Sequence, residues 1–143
     1  IGGLWYVDPS DTNITQAVAN SYANTLNTGT SVLNDVNGSI NWNSGVSLSK
    51  TSGGDATLTL RIVNYTTAQT ISLNNANIQS TSGALNLLLW AGNGGYQGLL
   101  SANNSTINTN GGHFWMGGGA TSSTKRSTRA ITLAWFRSPT ATG

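Results

Sequence analysis

ISLNNANIQSTSGALNL, residues 71–87, and LSANNSTINTNGGHFWM, residues 100–116, carry one pattern twice, 29 positions apart. Ile71, Ile78, Gly83, Leu85 and Leu87 recur as Leu100, Ile107, Gly112, Phe114 and Met116. A looser upstream copy holds Trp42, Leu48, Gly53, Leu58 and Leu60, stretched by a few residues at its loop. Repeats of about 20–50 residues mark stacked supersecondary units, each unable to bury its apolar face alone. Within a copy the apolar residues alternate (Ile71, Leu73; Leu85, Leu87, Leu89), which is the period of a strand. The repeat therefore predicts an all-β fold, a parallel β-solenoid. Its expected core is Ile40, Val46, Leu48, Leu58, Leu60, Ile71, Leu73, Ile78, Leu85, Leu87, Leu100, Ile107, Phe114 and Met116.

In such a stack equivalent residues lie about 4.8 Å apart, so amide side chains can bond along the axis. Asn77 with Asn108, or Thr81 with Asn110, are candidate steps. The same residues are turn formers, and that reading is favoured over the ladder.

Outward from the repeat, Leu4 to Val7 reads as a strand or docking segment closed by Asp8-Pro9. From Thr12 to Thr28 the spacing changes: Ile14, Val18, Tyr22 and Leu26 recur every four residues, one face of a short helix. Asp11 or Thr12 is its expected cap and Gly29 its stop. Beyond Thr30 only strands and turns are expected: a strand at 31–33, a polar turn at 34–38, and strands at 39–48 and 56–63. The last strand is expected at 130–136. Nothing divides the chain, so it reads as a single solenoid domain. Residues 1–29 form an N-terminal strand and helix cap, 30–121 the coils, and 122–143 an atypical strand and tail.

The composition limits the chemistry. Only 7% of the 143 residues are charged, far below the usual quarter, and Asn, Ser, Thr and Gly supply about half the chain. There is no cysteine, which removes thiolate catalysis, cysteine-ligated zinc and disulfides. Acid–base catalysis needs paired groups. The four carboxylates Asp8, Asp11, Asp35 and Asp55 all precede residue 56, and from 62 to 124 there is no Asp, Glu, Lys or Arg. His113 is the single histidine. No catalytic residue, cofactor site or metal site is predicted, and the protein is not expected to be an enzyme. No apolar run reaches the ~20 residues that span a bilayer. Lys125, Arg126, Arg129 and Arg137 cluster at the other end from the carboxylates. Four cations make a small electrostatic footprint, so nucleic acid is not an expected partner.

Four phrases occur in order: LNTGTSV at 26–32, GDATLTL at 54–60, SGALNL at 82–87 and INTNGG at 107–112. They resemble the repeats of filamentous haemagglutinin-like exoproteins, the two-partner-secreted bacterial β-helix proteins. The resemblance covers residues 14–119, and the tail from 122 departs from it. It implies a right-handed parallel β-helix exported to the surface of a Gram-negative-type bacterium, used as an adhesin or fibre. No general catalytic residues come with it.

Function is expected at the surface. Trp90, Tyr96, Trp115, Lys125, Arg126, Arg129, Trp135, Phe136 and Arg137 are the candidate surface or assembly contacts. Trp115 alternates with Phe114 and Met116 and should face outward. Exposed aromatics suit glycans or protein partners; the competing reading packs each beneath a loop. The leading reading is a secreted structural or adhesive protein that forms homo-oligomers or filaments, with environmental or host glycans as further partners. The 130–136 strand is expected to pair with a neighbouring chain. The alternatives are a polysaccharide-binding or polysaccharide-degrading β-helix and an ice-binding solenoid.

Overall fold

A computed structural model describes residues 2–7, 12–63, 67–91 and 98–118, together with the backbone of a strand at Thr132–Arg137. The described residues form a parallel β-solenoid of about three turns with one short helix. Its elements are β1 (Leu4–Val7), β2 (Asn13–Ile14), α1 (Gln16–Leu26), β3 (Ser31–Val36), β4 (Ile40–Trp42) and β5 (Ser47–Lys50). They continue with β6 (Ala56–Ile62), β7 (Thr70–Asn74), β8 (Asn77–Ser80), β9 (Leu85–Trp90), β10 (Leu99–Asn108), β11 (Phe114–Gly117) and β12 (Thr132–Arg137). One sheet runs β1-β3-β6-β9-β11. In the other, β2-β4-β7 and β5-β8 both abut the long β10, and β12 adds to β10. Each coil thus gives one strand to the first sheet and one or two to the second.

The alternation in sequence becomes rows along the axis. Val32, Leu58, Leu87 and Phe114 form one inward row, and Asn34, Leu60, Leu89 and Met116 the next. Trp42 meets Leu73 across the second sheet, while Leu48, Ile78 and Ile107 stack beside them. Every expected core residue is buried except Phe114 and Met116. Those two pack against the core while partly exposed, because β11 ends the described part of its sheet.

The register departs from the 29-residue repeat in one arc. The full spacing holds in the second sheet, where Ile71 faces Leu100 and Ile78 faces Ile107. In the first sheet, however, Phe114 faces Leu87 and Met116 faces Leu89, a step two residues shorter. The His113 N–H donates to Asn86 Oδ1 and the Leu87 N–H to the His113 carbonyl, which fixes this shorter turn. The expected ladder steps shift likewise. Asn77 faces Thr106, and Asn110 donates to the Gly83 carbonyl. The observed steps are Asn74 to Asn41, Asn104 to Asn75 to Ser44, Gln79 to Ser49, and Asn86 to Thr57. Asn75 and Asn104 also hold φ near +46° and +48°, so the same asparagines turn the chain and link its coils.

Other boundaries move for local reasons. The helix starts at Gln16, capped by the Thr15 hydroxyl accepting from the Val18 N–H; Asp11 lies outside the described residues. Ile14, β-branched, joins β2 and pairs with Trp42. The polar stretch after Leu33 is strand, not turn, since Asn34 faces inward and Asp35 faces Arg61. Residues 39–48 break into β4 and β5 at Gly45, whose φ is +79°. The last strand lies at Thr132–Arg137 and pairs with β10 of its own chain, so it extends this chain's sheet.

Helix α1 closes the edge of β5. The Gln16 amide donates to the Ser47 carbonyl at 2.8 Å and accepts from its N–H at 3.0 Å, imitating a paired strand. One helix length on, Asn27 Oδ1 accepts the N–H groups of Thr51 and Ser52. An edge that would recruit another strand is thus covered by amides.

A polar column runs inside the apolar stack. Lys50, Ser80 and Thr109 occupy one inward position in successive coils, all buried. Lys50 Nζ donates to the carbonyls of Ser52, Gly53 and Ser82, the Ser80 hydroxyl to those of Ser82 and Gly83, and the Thr109 hydroxyl to that of Gly112. Each supplies donors to the turn that its coil must make. Lys50→Thr is therefore expected to be tolerated better than Lys50→Met, which removes every donor to these turn carbonyls at about 1 kcal/mol per lost hydrogen bond. Chemical denaturation of both variants checks this. Burial lowers the Lys50 pKa, against the opposing pull of Asp55. Between that lowered value and the ordinary lysine range the unfolded chain binds more protons, so stability rises with pH through this window. The rise should be absent from Lys50→Thr.

Candidate surface site

The outward residues of the first sheet also align in rows. Tyr6, Leu33, Thr59, Leu88 and Trp115 form one. Asp35, Arg61, Trp90 and Gly117 form the next. In the second row Arg61 donates to both Asp35 oxygens at 2.6 Å, a bidentate pair that fixes the guanidinium plane. That guanidinium sits over the Trp90 ring at 5.2 Å. Its attraction to the ring face locks the indole from one side.

Trp115 locks it from the other. The two indoles meet T-shaped, centroids 6.0 Å apart and planes at 86°. Gly117 makes this possible: a Cβ there would lie 2.6 Å from Trp115 Cζ2 and 3.0 and 3.1 Å from its bonded neighbours Cη2 and Cε2. One near atom with two almost equidistant neighbours is the geometry of approach to a ring face. The indole therefore lies flat over Gly117, in the space that row would otherwise fill, and remains 43% exposed.

Of the residues expected at the surface, the structure brings Trp90 and Trp115 together on one face. Trp135, Phe136 and Arg137 lie on β12, opposite Asn103, Ser105 and Thr106 of the other sheet. Tyr96, Lys125, Arg126 and Arg129 lie outside the described residues. Sequence reasoning missed Asp35, Arg61 and Gly117. Opposite charges one coil apart were the available signal for the first two.

Both described carboxylates are engaged. Asp35 holds Arg61, and Asp55 Oδ1 accepts the Ala84 N–H. Asp8 and Asp11 lie outside the described residues. Among the described residues no three His, Cys, Asp or Glu side chains cluster as metal ligands do. No described helix is long and apolar enough to cross a membrane. A polar groove of about 440 Å³ runs between α1 and β5, lined by Gln16, Asn20, Ala23, Asn24, Asn27, Ser47 and Ser49. Apart from the Ala23 methyl, its side chains are amides and hydroxyls.

The chain matches no known family, no curated protein and no solved structure.

Proposed function

We propose that this chain is a structural and adhesive segment of a secreted bacterial surface protein, a non-enzymatic β-solenoid that presents its flanks to partners and self-associates. The observation that carries this reading is the division of labour across the strands. The inward rows are close-packed, while Leu4, Tyr6, Leu99 and Trp115 leave apolar surface exposed on the outward side. Exposed aromatic groups on a rigid sheet are the usual equipment of contact surfaces.

Charge placement supports assembly. The carboxylates lie in the first 55 residues, and Lys125, Arg126, Arg129 and Arg137 in the last 19. Head-to-tail attraction between copies is a heterologous contact, which yields open filaments when it does not close. Sedimentation of the full chain should show mass growing with concentration. Salt should weaken it, and so should Lys125→Ser, Arg126→Ser and Arg129→Ser combined. A strictly monomeric chain at high concentration would remove the assembly half of the proposal. Specific turnover of a polysaccharide, lost on changing Asp55 or His113, would remove the non-enzymatic half.

A further inference from the structure

We propose that the outer face of Trp115, walled by Trp90, is a binding platform for the neutral pyranose rings of a polysaccharide. The proposal rests on the adhesive reading above and names the partner for one surface of it.

The platform is built rather than incidental. An indole on a strand normally stands off the sheet and moves among rotamers. Here one face rests on Gly117, where any side chain would collide with the ring. Trp90 meets it in a T-shaped contact and is itself held by Arg61 and Asp35. Four residues from four successive strands of the first sheet thus fix one ring, and Trp115 keeps 43% of its surface exposed. Ordering the platform in advance lowers the entropy lost on binding.

The surroundings select the ligand. A flat aromatic face attracts a partner with its own apolar face of C–H groups, and the rim decides what the partner's edge must carry. Here Leu88 lies directly beside Trp115 and extends the apolar surface, while the flanking outward positions Asn86 and His113, with Thr59 one strand further on, suit hydroxyl groups. From 62 to 124 the chain has no Asp, Glu, Lys or Arg, and the nearby Arg61 is neutralised by Asp35. Among the described residues, a charged sugar, or a nucleobase with its phosphate, finds no free counter-ion at this face. A neutral pyranose combines the apolar face with the hydroxyl edge.

The full chain is titrated with hexasaccharides of β-1,4-linked glucose and of β-1,4-linked N-acetylglucosamine, with tryptophan emission as readout and heparin as the anionic control. At least one neutral hexasaccharide should bind. Trp115→Ala should weaken it about tenfold or more, the loss of one good contact, while Trp115→Tyr keeps most of the affinity. Gly117→Ala should weaken it too, because the new methyl lifts the ring, and melting should show both surface variants folded. The proposal is overturned if neither neutral sugar binds, if Trp115→Ala binds as the parent does, or if only heparin binds and salt abolishes it. It is also overturned if Trp115→Ala abolishes self-association and leaves sugar binding intact, since a second copy is then the occupant. A parent chain that self-associates but binds no sugar sinks this site and spares the adhesive reading. A chain that binds sugar through Trp115 yet never associates spares the site and sinks the assembly.

Discussion

Leu87→Asp is expected to abolish cooperative folding. Leu87 has no exposed surface and stands in an inward row between Leu58 and Phe114, in the middle of the stack. Leucine truncation alone costs about 2–5 kcal/mol in a packed core. An unpaired carboxylate adds a desolvation cost of several kcal/mol, or takes up a proton and still leaves buried polar atoms unsatisfied. Against a total stability of roughly 5–15 kcal/mol, that sum is enough to unfold the chain. The neighbouring Leu88→Asp is the control, since Leu88 points outward and is half-buried. Circular dichroism should show a lost transition for the first and a retained one for the second. A normal melt for Leu87→Asp would overturn the inward assignment of the whole row.

The contrast between Leu87 and Leu88 is legible from alternation alone, and the solenoid from the 29-residue repeat. What alternation cannot give is register. A slip of two residues keeps every side chain on its own face, so hydrophobic pattern is blind to it. The 29-residue spacing therefore matches Phe114 to Leu85, where the structure matches it to Leu87. The deciding contacts are hydrogen bonds of the turn, His113 to Asn86 and Leu87 to His113, which carry no apolar signature. The polar turn expected at 34–38 fails for a related reason. Asn34, Asp35 and Asn37 are turn residues by composition, yet the β3 backbone continues through the first two because its row in the next coil already runs as strand. Local propensity loses to tertiary pairing.

The candidate site is half legible. Parity places Trp115 outward, as observed. Its flat seat is not readable, because the seat depends on a rotamer that lays the ring over Gly117, and a glycine two residues after an aromatic looks like any other turn residue in sequence. The amide cover on β5 is hidden in the same way. Gln16 and Asn27 are ordinary helix-end residues until the edge of β5 arrives beside them.

The largest backbone effects are expected where coils stack at glycine, and three positions separate the causes. Gly45 has φ +79° with nothing within 4 Å of a built Cβ, so Gly45→Ala tests backbone strain alone, about 1–2 kcal/mol. Gly112 has no positive φ, but a Cβ there would collide with the Leu85 carbonyl oxygen of the coil below. Gly112→Ala therefore tests close approach alone, and the contact is backbone, which cannot rotate away. Overpacking of that kind costs about 1–3 kcal/mol and more when the neighbour is rigid. Gly83 has both: φ +69° and a Cβ 2.6 Å from the Gly54 carbonyl carbon and oxygen. Gly83→Ala should be the most damaging of the three, near the sum of the other two. Gly38→Ala, with neither feature, should be neutral or gain about 0.4–1 kcal/mol from a stiffer unfolded chain. Urea unfolding of the four variants gives the order. If Gly112→Ala melts like Gly38→Ala, the coils do not approach this closely, and the inter-coil register at this turn must be redrawn.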